Sequence, residues 1–507
     1  MSRITQLVIA GGGTAGWMTA AALSRFLPAD VCVRLVESEA IGTIGVGEAT
    51  IPPLADFNHM LGIDEHDFLR ETGGTYKLGI DFLNWGDLGD RYFHPFSAFG
   101  FDIDGLGFHQ AWHWLHAHTE PGPLDRYTIG AQAAARAKFI RPRTDDPQSP
   151  LAQMRHAYHI DAGRYAAFLR RYAEARGVVR VEGRIRDVDV CSESGDIRAL
   201  LLEDGQALGA DFFIDCTGFR ALLIGDRLGS DWCDWSHWLP CDRAIAVPSE
   251  AHARLESCTR STAHSAGWQW RIPLQHRTGN GHVYCSSFIG DDEAEETLLN
   301  TLDTAATDTP RPLRFRTGRR EQLWRNNCVA IGLSSGFVEP LESTSIHLIQ
   351  EGISKLLALF PGHGDRNILT REYNELMIRL YEDVRDFIVL HYVLNRREDS
   401  PFWQEVAGMR IPDSLGDRLE RFQQRGQWFA HRADLFTETS WVAVMLGQGL
   451  KLDATHPLLD AMDPEATSTQ LAGMASVYAA ASERMPPHAA YIQRFCRAED
   501  AAYGAPA

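Results

Sequence analysis

The sequence predicts an α/β fold with inserted strands, followed by a largely helical C-terminal part. Three observations predict it. First, residues 6–37 hold an apolar run, a glycine turn, a helical stretch and a second apolar run, a β-α-β unit of the roughly 30 residues that a parallel crossover takes. Second, apolar strand patterns recur at 197–203, 210–215 and 328–332. Third, from about residue 343 strand-like runs largely stop and helical spacing takes over. The chain is 507 residues long, with 44% apolar and 23% charged side chains. That suffices for a large core without disulfide staples and matches ordinary globular composition, not disorder or coiled coil.

Taken in order, Gln6–Ala10 is bounded by glycines and predicts a buried strand. The stretch 14–26 places Ala15, Met18, Ala21, Ala22 and Leu23 at helical spacing, and 31–37 reads as the second strand. Asp204-Gly205 separates the strands at 197–203 and 210–215. Segment 267–289 mixes Trp, Tyr, Val and Phe around Gly279-Asn280-Gly281 and resembles a hairpin there. Asp145-Asp146-Pro147 reads as an exposed loop. Helices are expected over 345–360, 371–393, 416–431 and 466–481. The expected division is an α/β module over 1–345 and a mainly helical part, integrated with it, over 346–507.

The net charge of −18 argues against a nucleic-acid binder, which needs clustered Lys and Arg. The nine cysteines are dispersed without a Cys-x-x-Cys pair, the pattern of reduced thiols and not of a disulfide or zinc framework. No metal site is expected. The N-terminal residues show no cleavable signal pattern, and no apolar run approaches the ~18 residues of a membrane span. The expected location is cytoplasmic.

Gly11-Gly12-Gly13-Thr14-Ala15-Gly16 fits G-x-G-x-x-G between a strand and a helix, the context this motif requires. Its glycines permit a tight turn, close approach of a pyrophosphate and close helix packing, while amides and the helix dipole hold the anion. Glu37 ends the second strand about 20 residues on, where a carboxylate binds a ribose hydroxyl, as for FAD or NAD. Two distant segments favour FAD. Asp215-Cys216-Thr217-Gly218-Phe219-Arg220 and Asn327-Cys328-Val329-Ala330-Ile331-Gly332 resemble the second and third flavin-contacting stretches of the flavoprotein monooxygenases. Leu333 stands where that class carries aspartate after the glycine, which tells against an ordinary aromatic hydroxylase.

Trp268-Gln269-Trp270-Arg271-Ile272-Pro273 contains W-x-W-x-I-P, and with it the chain resembles the flavin-dependent halogenases, in their tryptophan/indole branch. Gly45-Val46-Gly47-Glu48-Ala49-Thr50-Ile51-Pro52 is similar to that family's flavin strap. Tyr76-Lys77 with Phe82-Leu83-Asn84-Trp85 is similar to its catalytic-lysine region, and 337–344 to its halide and glutamate loop. His94-Pro95-Phe96 and 397–403 resemble its substrate-pocket segments.

The resemblance implies an FAD-binding module of the flavoprotein monooxygenase type with a helical substrate-binding subdomain. It assigns FAD to Gly11, Gly13, Thr14, Ala15, Gly16, Glu37, Ala49, Leu333 and Ile346. It implies that FADH₂ comes from a separate flavin reductase and reacts with O₂ to a flavin C4a-hydroperoxide. Halide, chloride or bromide, held by the amides of Thr344 and Ser345, is then oxidised to hypohalous acid. That oxidant travels through a tunnel to Lys77, with Glu342 as partner, either hydrogen-bonded or as a haloamine. The implied substrate residues are His94, Phe96, Tyr392, Glu398, Phe402 and Trp403, with His94, Phe96 and Trp403 sandwiching an indole-type ring. His391 stands where tryptophan-specific members carry a second tyrosine, so free tryptophan, indole and larger indolic compounds remain open. Trp268 and Trp270, on one face if the segment is a strand, are expected either to shield the flavin or to pack in the core. A homodimer is the family-level expectation. An aromatic hydroxylase of the same fold and a non-catalytic flavin-binding protein are the alternatives.

Overall fold

The structure of the chain, a computed structural model, describes residues 4–40, 47–143, 145–147, 149–362, 366–430 and 434–501. Two compact units are each entered three times by the chain: 1–72, 160–240 and 314–382 form the first, and 73–159, 241–313 and 383–507 the second. The helical region beyond residue 345 therefore contributes to both.

In the first unit, β1 (Gln6–Ala10), α1 (Thr14–Phe26) and β2 (Cys32–Glu37) form where the pattern predicted them. β1 is central, pairing in parallel with β2 on one side and with Phe212–Asp215 on the other. Val179–Glu182 and Cys328–Ala330 extend the parallel sheet outward. Parallel strands are covered on both faces, and Leu7, Val8, Ile9 and Ala10 are fully buried. On one face α1 packs against the helices Ala162–Glu174 and Ser345–Ala358. Its buried Ala20, Ala21 and Ala22 allow close helix approach. Elsewhere Val8, Val36, Leu200, Phe213 and Ile224 share one apolar cluster with the small sheet of 185–190, 197–202 and 207–209. Each such aliphatic side chain contributes on the order of 1.5–3 kcal/mol by burial.

The second unit is built on a sheet in which Arg243–Ser249, Thr278–Tyr284, Gly267–Pro273, Thr259–His264, Gly79–Leu83 and Arg91–Pro95 lie side by side in that order. The hairpin expected near 267–289 is present, but its turn lies at 274–277, and Gly279-Asn280-Gly281 sits inside the second strand. Gly281 stands opposite Trp270 and Gly279 opposite Ile272. A Cβ at Gly281 would collide with the six-membered ring of Trp270, so this glycine makes room for an indole and does not turn the chain. The turn itself is held by buried Gln275, whose amide donates to Gly74 O at 2.7 Å and Cys496 O at 3.0 Å.

The expected helices are observed as Ser345–Ala358, Arg366–Val393, Asp413–Arg425 and Pro464–Glu483. Position 431, the end of one expected helix, lies outside the described residues. Among the described residues, three further α-helices, Pro401–Ala407, Glu438–Gly447 and His488–Phe495, and a 3₁₀ helix, Pro457–Ala461, complete this region, and no strand follows Phe337. Among those residues, too, no helix is long and apolar enough to cross a membrane.

Candidate active site

The turn after β1 has two glycines that the chain's own atoms demand and one that they do not. At Gly11, φ +106°, a Cβ would collide with the Cys216 carbonyl oxygen, and at Gly16 with the Gly11 carbonyl oxygen. At Gly13 a Cβ would meet nothing within 4 Å, and φ is an ordinary −72°. Close packing does not explain that glycine, and the position leaves room for a ligand. No side chain caps α1 at Gly13, so the first-turn amides at Thr14, Ala15 and Gly16 have no intrahelical carbonyl to meet. With the helix dipole they suit a pyrophosphate.

Glu37 lies against this turn, close enough that a Cβ on Gly12 would collide with its carboxylate. Arg180 Nε donates to its Oε1 at 2.5 Å and Trp17 Nε1 to its Oε2 at 3.2 Å. A carboxylate accepts about four hydrogen bonds, so these two orient Glu37 and leave capacity for a ribose hydroxyl. The three glycine-rich stretches converge here. Cys216 N donates to Ala10 O at 2.8 Å and Ile331 N to Asp215 O at 2.9 Å. Gly332, φ +80°, passes α1 so closely that a Cβ would lie 2.8 Å from Ala15 Cβ. Leu333 follows, 37% exposed. Asp215 turns inward, accepting from Thr217 N, Leu223 N and Ile224 N at 2.8–2.9 Å. Its role is to close the turn. Of the strap, Gly45 and Val46 lie outside the described residues, while Ala49, Thr50 and Ile51 are buried. Burial pushes the Glu48 carboxyl up to about 7.

The 337–346 loop folds into a short 3₁₀ turn, Pro340–Glu342, then Ser343 in the left-handed region at φ 62°, then the helix Ser345–Ala358. A serine there is uncommon, and such backbone strain gathers at functional loops. Glu339 and Glu342 are both buried, as is Thr344, whose Oγ1 has no hydrogen-bond partner among the described residues. No side chain caps the helix. The first-turn amides of Ser345, buried Ile346 and His347 therefore lack an intrahelical carbonyl, an end that suits a small anion. Burial pushes the His347 imidazolium down to about 4, so His347 is neutral beside it.

Lys77 belongs to the second unit and is fully buried. It ends the three-residue strand Thr75–Lys77, which pairs antiparallel with the strand at Ala157–Asp161. Its Nζ stands 5.2 Å from the centroid of the Phe96 ring, a cation–π distance. Phe96 and His94 are edge-on neighbours at 6.4 Å. From His94 a series of rings continues through Phe387 (5.7 Å) to His391 (5.2 Å), and from there to Phe82 (5.0 Å) and Trp85 (5.9 Å).

Trp85 brings in Tyr392, Trp403 and Trp268 at 5.6, 5.4 and 6.4 Å. The expected substrate residues thus form two groups. His94 and Phe96 stand with Lys77. Tyr392, Phe402 and Trp403 pack on one another, Tyr392 and Trp403 also on Trp85, with Arg397 5.0 Å from the Trp403 ring. Trp403 Nε1 donates to His264 O at 2.6 Å, and the Tyr392 hydroxyl lies 3.6 Å from Cys241 Sγ. Glu398 is exposed. Trp268 and Trp270 do share one strand face, 6.1 Å apart.

Phe387 joins the two groups and carried no signal of its own in the sequence. It lies mid-helix, where an apolar residue reads as core. Among the described residues no group of three or more His, Cys, Asp or Glu side chains could hold a metal ion.

The tryptophan halogenase family model matches residues 6–464. Tryptophan 6-halogenase SttH of Streptomyces toxytricini is 35% identical over 496 residues, which cover 92% of this chain and 93% of the relative. Among solved structures, the flavin-dependent halogenase Xcc4156 from Xanthomonas campestris matches with a TM-score of 0.94 and 46% identity over 100% of both chains. BrvH, a flavin-dependent halogenase from Brevundimonas sp. BAL3, matches at 0.93 and 46% identity, covering 97% of this chain and 99% of its own. The family match takes in both the glycine turn of the first unit and the buried lysine of the second: the chain belongs to the tryptophan halogenase family of flavin-dependent halogenases.

Proposed function

We propose that the chain catalyses FADH₂-dependent chlorination or bromination of an indole-type aromatic ring, with Lys77 presenting the halogen and Glu342 assisting. The observation that carries this reading is the fully buried Lys77 with its Nζ over the Phe96 ring. An ammonium that only decorates a surface is not buried. When bound and reduced, FAD with O₂ supplies the oxidising equivalents that convert halide to hypohalous acid.

The chain's own groups do the rest. The amides at Thr14, Ala15 and Gly16 hold the pyrophosphate and Glu37 the ribose, while Ala49, Leu333 and Ile346 contribute contacts. The amides of Thr344 and Ser345 hold the halide. Lys77 fixes the electrophilic halogen at Nζ, on a strand whose pairing limits its movement, so the reacting ring meets it in one orientation. His94 and Phe96 give that ring an aromatic wall. Glu342 takes the proton lost from the halogenated carbon, general-base work suited to a buried carboxylate. Reduced flavin comes from a separate reductase.

Exposed Glu398 and buried Tyr392, its hydroxyl turned to Cys241, support recognition of an indole ring by its faces over recognition of an amino-acid group by a polar cradle. The test is incubation with FAD, a flavin reductase, NADH, O₂ and indole in chloride or bromide. A product carrying the matching halogen isotope pattern supports the proposal. A hydroxylated product formed without halide contradicts it in favour of a monooxygenase, and bound flavin with no product contradicts it in favour of a non-catalytic protein.

A further inference from the structure

A buried histidine shares the strand face that carries Lys77. In the antiparallel pair, Thr75 stands opposite His159 and Lys77 opposite Ala157. Side chains alternate along a strand, so these four share one face, while Tyr76 and Tyr158 share the other and Tyr76 stacks on Phe139 at 3.8 Å. Ala157 sets only a methyl group opposite Lys77. His159 is the diagonal neighbour of the lysine, a spacing of about 7–8 Å in an antiparallel pair.

The protons on His159 follow from its partners. Thr75 Oγ1 has one proton, which it donates to Pro273 O at 2.7 Å. It therefore accepts from His159 Nδ1, 2.9 Å away. Nε2 of the neutral ring is then an acceptor, and Thr259 Oγ1 donates to it at 3.0 Å. Burial, with Lys77 and His488 nearby, holds the His159 imidazolium well below the usual histidine range. One ring thereby joins four strands: that of Lys77, its own, the strand beginning at Thr259, and, through Thr75, the Pro273 end of the W-x-W-x-I-P strand.

We propose that His159 is a positioning residue for Lys77, a neutral clamp of fixed tautomer that holds the lysine's strand against the signature strand. The proposal rests on Lys77 being the catalytic lysine.

His159→Leu removes both bonds at similar reach, and His159→Gln keeps one donor and one acceptor. The holoenzyme is assayed with indole, FAD and reductase. His159→Leu is expected to lower kcat about 100-fold, the scale of an ångström's misplacement, with KM for indole and FAD affinity within about twofold. His159→Gln is expected to recover kcat to within about tenfold of wild type.

Three outcomes overturn the clamp: His159→Leu with kcat intact, kcat lost only together with KM and FAD affinity, or His159→Gln as impaired as His159→Leu. Should His159→Leu fail to fold, Thr259→Val, which removes only the donor to Nε2, decides. A severalfold fall in kcat at constant KM supports the clamp and unchanged kcat overturns it. Lys77→Ala is run alongside. Halogenation surviving there overturns the catalytic reading itself, whereas an inactive Lys77→Ala beside a fully active His159→Leu overturns the clamp alone.

Discussion

Gly281→Ala adds one methyl group where the Trp270 indole now lies, and the built Cβ collides with three atoms of the six-membered ring. Trp270 is only 8% exposed, so the ring has no open side into which to retreat. Overpacking of this kind costs about 1–3 kcal/mol, against which alanine recovers about 0.5–1 kcal/mol of backbone entropy. The net loss of about 1–2 kcal/mol corresponds, for a chain of 507 residues, to a fall in apparent Tm of roughly 1–2 °C. Trp270→Ala alone costs more, about 3–5 kcal/mol, because it opens a cavity. In the double variant the new methyl group enters the vacated space, so the pair costs no more than Trp270→Ala alone. The expected coupling is about 1–2 kcal/mol in favour of the double variant. Calorimetric unfolding of the four proteins at one scan rate measures it. Strictly additive Tm shifts would refute the claim that Gly281 exists to seat Trp270.

Gly13→Ala separates folding from ligand binding: its Cβ meets no protein atom, so Tm is expected to stay within about 1 °C while FAD affinity, by fluorescence titration, falls tenfold or more, about 1.4 kcal/mol. Unchanged affinity would contradict the assignment of the turn. At Asp125, burial, opposed by Arg91 and reinforced by Asp81, pushes the carboxyl from 3.8 up to about 6. The folded state then holds the proton more tightly than the unfolded state, so this group's contribution to stability falls as pH rises from about 4 through 6. Asp125→Asn loses that slope. Its Tm relative to wild type is expected to be a few degrees higher at pH 7 than at pH 4.5, and a constant difference across that range would contradict the placement.

Much of the first unit was legible because its signals are local: an apolar run, glycines at fixed spacing and a helical period mark β1, α1 and β2 within 32 positions. Composition predicts the hairpin turn at Gly279-Asn280-Gly281, whereas the actual turn is held by Gln275 bonding to Gly74 and Cys496, each more than 200 positions away. The helix Glu438–Gly447 gives no periodic signal because Trp441 to Leu446 are all buried, which leaves no polar face to show a period. Lys77 sits on a strand of three residues, too short for any pattern, and only the family resemblance singled it out. Resemblance likewise grouped Trp403 with His94 and Phe96, but which faces of a ring are already covered is a matter of packing. In the structure Trp85, Tyr392 and Phe402 cover Trp403. His159 had no signal at all, since its meaning lies in two threonine hydroxyls brought to it by pairing.

The central claim is that buried Lys77 carries the halogen to the ring. The direct measurement compares wild type and Lys77→Ala under identical FAD, reductase, O₂ and bromide, following brominated indole by mass and oxidation of the reduced flavin by absorbance. Lys77→Ala is expected still to bind FAD and still to support flavin oxidation, while brominated product falls at least 1000-fold, about 4 kcal/mol of lost transition-state stabilisation. Brominated indole formed by Lys77→Ala at a rate within tenfold of wild type would contradict it.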